Sequence, residues 1–111
     1  MARDAVTAVA NVAAATTDAV LVATPAAGQQ ARQVIVGLVL SAGATGTTVQ
    51  INSKPAGAGA AVSPVFTLAA SQVVVLPHDD GGWFSGLAGA GLSVTTGAGG
   101  GVGVAAVVRS G

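Results

Sequence analysis

The side chains able to do chemistry are few, and most of them are adjacent. His78, Asp79 and Asp80 stand together; the only other carboxylates are Asp4 and Asp18, since the chain has no Glu. An imidazole beside carboxylates suggests a metal site or an acid–base pair. Neighbouring residues rarely converge on one ion, however, and Asp-Asp-Gly-Gly after Pro77 is good turn chemistry in its own right. A Ser-His-Asp triad needs a base oriented by a buried acid beside a nucleophile, and no G-x-S-x-G elbow occurs. Gly101-Val102-Gly103-Val104-Ala105-Ala106 fits the loose dinucleotide pattern. That pattern demands a helix after it and an acidic residue about 20 positions on, but only five residues follow Ala106 and none is acidic. The single lysine, Lys54, lies between Ser53 and Pro55 with no phosphate loop before it, and there is no Cys. The chain therefore reads as a non-enzyme with no catalytic residue, no cofactor and no metal site.

With 111 residues and 10.4 kDa there is room for one domain. Ala, Val and Gly dominate, and only eight side chains carry full charge, four of each sign. Four basic residues cannot build the clustered positive surface that nucleic acid requires. Residues 81–108 are uncharged, but ten of them are Gly and Ser93, Thr95 and Thr96 interrupt them. A spanning helix wants about 20 mostly apolar residues, so no membrane contact is expected. Nor does the N-terminus look like a signal peptide, because Asp4 follows Arg3 and Asn11, Thr16, Thr17 and Asp18 dilute the apolar stretch. A surface so poor in charge suits a monomer badly and points to faces covered by other subunits.

The pattern of elements is all-β. Residues 32–41 form the strongest strand, with Val34, Val36, Leu38 and Leu40 on one face, Ile35 and Val39 on the other, and both faces apolar. Residues 47–52 alternate cleanly, Val49 and Ile51 to one side. Residues 64–68 and 72–76 read as a hairpin through Ala69-Ala70-Ser71, and Trp83-Phe84 starts a short strand. Residues 91–96 place Leu92 and Val94 together, and residues 102–109 do the same for Val102, Val104, Ala106 and Val108. Seven or eight short strands with turns between them predict an antiparallel β-sandwich, jelly-roll-like, over residues 18–111. Residues 1–17 are read as an N-terminal arm.

Two groups of residues are candidates for an interface. Trp83 and Phe84 are adjacent in a strand and point to opposite faces, so one can pack inward while the other anchors a partner. Val6, Val9 and Val12 give the arm an apolar character suited to adding a strand to a neighbour's open edge.

Ser63–Ala70 (SPVFTLAA), Val73–Phe84 (VVVLPHDDGGWF) and Leu92–Val104 (LSVTTGAGGGVGV) resemble, in that order, stretches of a family of small structural proteins of tailed bacteriophages, the capsid decoration or head cement proteins. The resemblance covers about residues 32–111. It implies a small β-sandwich, a homotrimer, and a place on the outside of the phage head, where the protein binds the shell of major capsid protein and stabilises it after synthesis in the host cytoplasm. Related sandwiches in head fibres and tails make a module for host surface glycans or proteins the alternative.

Overall fold

The computed structural model describes residues 6–23, 32–54, 59–79 and 81–110. β-Branched residues lose little in an extended backbone and pack well on a pleated surface, and the described residues form ten strands. They are β1 (Val6–Val12), β2 (Ala19–Val22), β3 (Gln33–Ala42), β4 (Thr47–Lys54), β5 (Ala60–Ala61), β6 (Phe66–Leu68), β7 (Val73–Leu76), β8 (Phe84–Ser85), β9 (Gly91–Thr96) and β10 (Val102–Ser110). Two five-stranded antiparallel sheets result. Sheet I runs β1-β10-β3-β7, with β8 on the same edge of β3 as β7. Sheet II runs β2-β9-β4-β5, with β6 beside β5 on the outer edge of β4. Among the described residues no helix is long and apolar enough to cross a membrane.

One core lies between the sheets, so the fold is a β-sandwich. Val49 and Ile51 of β4 and Leu92 and Val94 of β9 enter it from sheet II. Leu38 and Leu40 of β3 and Val102, Val104, Ala106 and Val108 of β10 enter it from sheet I. The alternations expected for β4, β9 and β10 are all present. Phe84 of sheet I meets Phe66 of sheet II edge to face, ring centroids 6.1 Å apart, an arrangement that aromatic quadrupoles favour. The molecule is 19 Å across its thinnest axis, as two layers about 10 Å apart require once side chains are added.

Strand β3 departs from simple alternation at one point. Val107 of β10 pairs with Gly37, but Val108 pairs with Ile35, so Val36 is an extra residue in the ladder. Such a bulge reverses the in–out phase of the strand. Ile35 consequently shares the core with Leu38, Leu40 and Ala42, while Val39 is turned outward. The two alternating sets expected from the sequence are corrected by this single residue. Val36 is buried without joining the core cluster. Its carbonyl accepts the N–H of Asp79 at 2.8 Å, and the carbonyl of Ile35 accepts that of Trp83 at 2.7 Å. The 77–83 turn is thus laid over the bulge. Gly82, at φ +84°, approaches Val34 so closely that a Cβ would collide with its side chain.

Two further expectations are revised. β6 and β7 are not a hairpin: β6 pairs with β4 in sheet II and β7 with β3 in sheet I. The Ala69–Gln72 turn carries the chain between sheets, closed by Gln72 N–H to Ala69 carbonyl (3.1 Å) and Ala69 N–H to Gln72 Oε1 (2.8 Å). Ser71 N–H donates to Gly43 carbonyl at 2.7 Å, which aims the turn. Residues 6–12, expected within an arm, form β1, paired along its length with β10. The link from β1 to β2 is pinned to β9, since Thr96 Oγ1 accepts the N–H of Thr16 (3.0 Å) and donates to the carbonyl of Ala13 (2.6 Å). Alanines at positions 8 and 10 reach inward where larger side chains would have signalled a strand.

The phase reversal at Val36 has a measurable consequence. Leu40→Ala, at a fully buried site of β3 beyond the bulge, is expected to lower unfolding stability by about 2–5 kcal/mol. Val39→Ala, on the outer face, is expected to cost under about 1 kcal/mol. Denaturant titrations of the two variants check both values.

Candidate interaction surface

The two outer faces of the sandwich differ in kind. On sheet I the outward positions are Thr7, Val9 and Asn11 of β1, Gly103, Ala105 and Val107 of β10, Gly37, Val39 and Ser41 of β3, and Val73 and Val75 of β7. Registers align them in rows. Val9 lies opposite Ala105, Ala105 opposite Val39, and Val39 opposite Val75. This apolar row crosses the whole sheet, and Val9 is 70% and Val75 58% exposed. The next row, Asn11–Gly103–Ser41–Val73, is polar only in the middle of its length and at one end. On the other side Thr7 faces Val107 and Val107 faces Gly37. No charged side chain stands in these three rows; Arg109, opposite Val34, is the first beyond them.

Glycines shape one end of this face. Gly43, Gly101 and Gly103, with Asn11 and Ser41, border an open basin of about 580 Å³. None of the residues lining it is titratable. It offers a dip of backbone, one amide and one hydroxyl, with room for a protruding side chain.

Sheet II carries more polar groups outside, although Val20 is 63% exposed, and is partly covered. Its row Val20–Ser93–Asn52–Ala61 is crossed by Gly59, whose N–H donates to Asp18 Oδ2 at 3.0 Å. Ser93 Oγ donates to Asp18 Oδ1 at 3.0 Å, and Asp18 N–H donates to Thr95 Oγ1 at 3.1 Å. Asp18 sits at φ +53°, a left-handed turn that an Asp side chain tolerates well. The Gly59 N–H first, then the Ser93 hydroxyl and the nearby Lys54 charge, hold its carboxyl below the ordinary carboxylate range against the pull of desolvation. Ser63 ties the segment after β5 to β4: its Oγ accepts the N–H of Ile51 (2.9 Å), and its carbonyl accepts Gln50 Nε2 (3.2 Å). Among the described residues the Oδ1 of Asn52 is buried with no hydrogen-bond partner.

The residues singled out in the sequence fall in three places. Trp83 is 40% exposed, with its indole N–H donated to the Pro77 carbonyl at 2.8 Å, while Phe84 packs inward on Phe66. They do point to opposite sides. Val9 lies at the β1 end of the exposed row, whereas Val12 is a core residue, 4% exposed, and is corrected as a surface candidate. Val6 is paired with Val108 at the end of β1. His78 and Asp79 are exposed on the turn over the bulge, where Asp79 Oδ1 accepts the N–H of Gly81 at 2.9 Å; Asp80 lies outside the described residues. No three His, Asp, Glu or Cys side chains gather among the described residues. Val39, Val73, Val75 and Ala105 were missed as surface residues. The signal that finds them is the cross-strand register, which local alternation does not contain.

No protein-family model and no curated protein sequence matches this chain.

Because the folded carboxyl of Asp18 ionises more readily than an unfolded one, its stabilising effect is present above the ordinary Asp pKa of about 4. It is lost as pH falls from there through the lowered folded-state value. The stability advantage of the wild-type chain over Asp18→Asn is therefore expected to be constant near neutrality and to shrink below about pH 4. Urea midpoints of both proteins across that range check this.

Proposed function

We propose that the chain is a structural virion protein: a decoration or cement subunit that coats the outside of a tailed-phage head, as a homotrimer, and stabilises the shell. The observation that carries this reading is the bare, uncharged outer face of sheet I with its row Val9–Ala105–Val39–Val75. A protein that clamps shell subunits needs surface to bury and no reaction centre. Apolar area yields roughly 25 cal/mol per Å² on burial, and this face gives it up without stripping water from a single charge. Four strands about 4.8 Å apart and about seven residues long at about 3.3 Å each make it about 450 Å². Three such faces in a trimer exceed the roughly 800 Å² per partner of a standard interface.

Three other features support the reading. The resemblance of Ser63–Ala70, Val73–Phe84 and Leu92–Val104 to decoration proteins spans both sheets. The more polar, partly covered face of sheet II is suited to face solvent while sheet I is docked. The strand order favours the jelly-roll form of the sandwich. Counting each split edge as one position, the sheets run 1-8-3-6 and 2-7-4-5, the order of paired Greek keys used in viral capsid domains.

Mixing the purified chain with undecorated heads and pelleting them tests the proposal. Stoichiometric co-sedimentation is expected, with heads that resist heat better than bare ones. Val75→Lys is expected to weaken binding at least about tenfold while shifting the melting temperature by only a few degrees. Absence of binding to heads, together with binding to host cells, would overturn it. Light scattering is expected to give a multiple of three times the 10.4 kDa chain mass.

A further inference from the structure

We propose that β1 is a self-pairing edge: two copies of the chain join by antiparallel pairing of their β1 strands about a two-fold axis through Val9. The inference concerns the free protein and does not depend on what sheet I docks against.

A sandwich has four sheet edges, and here three are blunted. The β3 edge of sheet I is split between β7, four residues, and β8, two residues. The β4 edge of sheet II is split between β6, three residues, and β5, two residues. β2 has four residues and slips register between Val20 and Val22. Short, broken or bulged strands are the usual means of stopping edges from pairing. β1 has none of these features. It runs for seven residues in unbroken register, from Val6 opposite Val108 to Val12 opposite Val102. It carries no charge and no proline. Half of its backbone N–H and C=O groups point away from β10, and among the described residues no turn or loop bonds to them.

The sequence of β1 specifies the occupant. Val6-Thr7-Ala8-Val9-Ala10-Asn11-Val12 reads the same in both directions by polarity and nearly by identity. Laid antiparallel on itself with Val9 opposite Val9, it sets Ala8 against Ala10, Thr7 against Asn11 and Val6 against Val12. A slip of two residues would set Val9 against Thr7 or Asn11. A slip of one would turn the outer face of one copy toward the inner face of the other, because side chains alternate. Only the register centred on Val9 matches polar with polar and apolar with apolar. It forms about six to eight main-chain hydrogen bonds and joins the two sheets I edge to edge. The apolar row then runs unbroken from Val75 of one copy to Val75 of the other. The edge of sheet I is used and its face stays open, so the contact can link copies from neighbouring trimers.

Cysteine trapping tests the register, since the chain has no Cys of its own. Directly opposed residues in an antiparallel pair have Cα atoms about 4.5–5.5 Å apart, inside the disulfide range of about 4.4–6.8 Å. Under mild oxidation Val9→Cys is expected to form a covalent dimer. Thr7→Cys alone is expected to remain uncrosslinked, and Thr7→Cys mixed with Asn11→Cys to crosslink. All three positions are exposed, and the mixed pair probes the same register without touching Val9. Failure of both Val9→Cys and the mixed pair overturns the proposal, as does crosslinking of Thr7→Cys or Val75→Cys as readily as Val9→Cys. Head binding can fail without affecting this result, and the reverse holds as well.

Discussion

The position of Val36 governs much of the rest. One residue too many in the ladder between β3 and β10 lets the central strand of sheet I present Ile35 and Leu38 to the same core, with two residues turned away between them. That strand has neighbours on both sides, so its change of phase is felt throughout the sheet. Before the bulge, the carbonyls of Ile35 and Val36 accept the N–H groups of Trp83 and Asp79, and Gly82 lies against the side chain of Val34. Beyond it, Val39 is turned out and becomes part of the exposed row. The bulge also marks where the partner on the far edge changes from β8 to β7.

This explains what could and could not be read from the chain. β4, β9 and β10 alternate in the sequence as they do in the fold, because the extra residue at each register shift falls in the partner strand, β3 opposite β10 and β2 opposite β9; Val49, Ile51, Leu92 and Val94 are wholly buried. β3 hides its bulge, because Val-Ile-Val is apolar in any phase. β1 looks weak because its inward residues include Ala8 and Ala10, and alanine carries little strand signal. The turn after Leu68 looks like a hairpin turn because the direction in which a turn delivers the chain is set by distant bonds, here Ser71 to Gly43. For the candidate surface, Val9 and Trp83 are legible in the sequence as interface candidates. Their neighbours across the strands are not, because Val39, Ala105 and Val75 meet only through pairing of residues far apart in sequence.

The shortage of charge acquires a direction in the folded molecule. Asp18 and Lys54 serve the sheet II side, where a carboxylate organises Ser93, Thr95 and Gly59 into a hydrogen-bonded cover. His78, Asp79 and Arg109 gather toward the bulge end. The broad middle of sheet I is left to Val, Ala, Gly and a few hydroxyls and amides. A two-faced sandwich of this sort has a polar side and an uncharged, largely apolar side, and the difference needs only which residues occupy the outward positions of two otherwise similar sheets.

The split edges have a last consequence, for growth. Hydrogen-bonded sheets extend by adding strands at either side, and a subunit with two competent edges can propagate into a ribbon without limit. Here the far edge of each sheet is two fragments end to end, and neither is long enough to template a strand. Along the hydrogen-bonding direction the molecule therefore has a valence of one. Crowded together, such subunits can close in pairs along this edge but cannot go on adding strands, so high local concentration does not lead to a β-fibre.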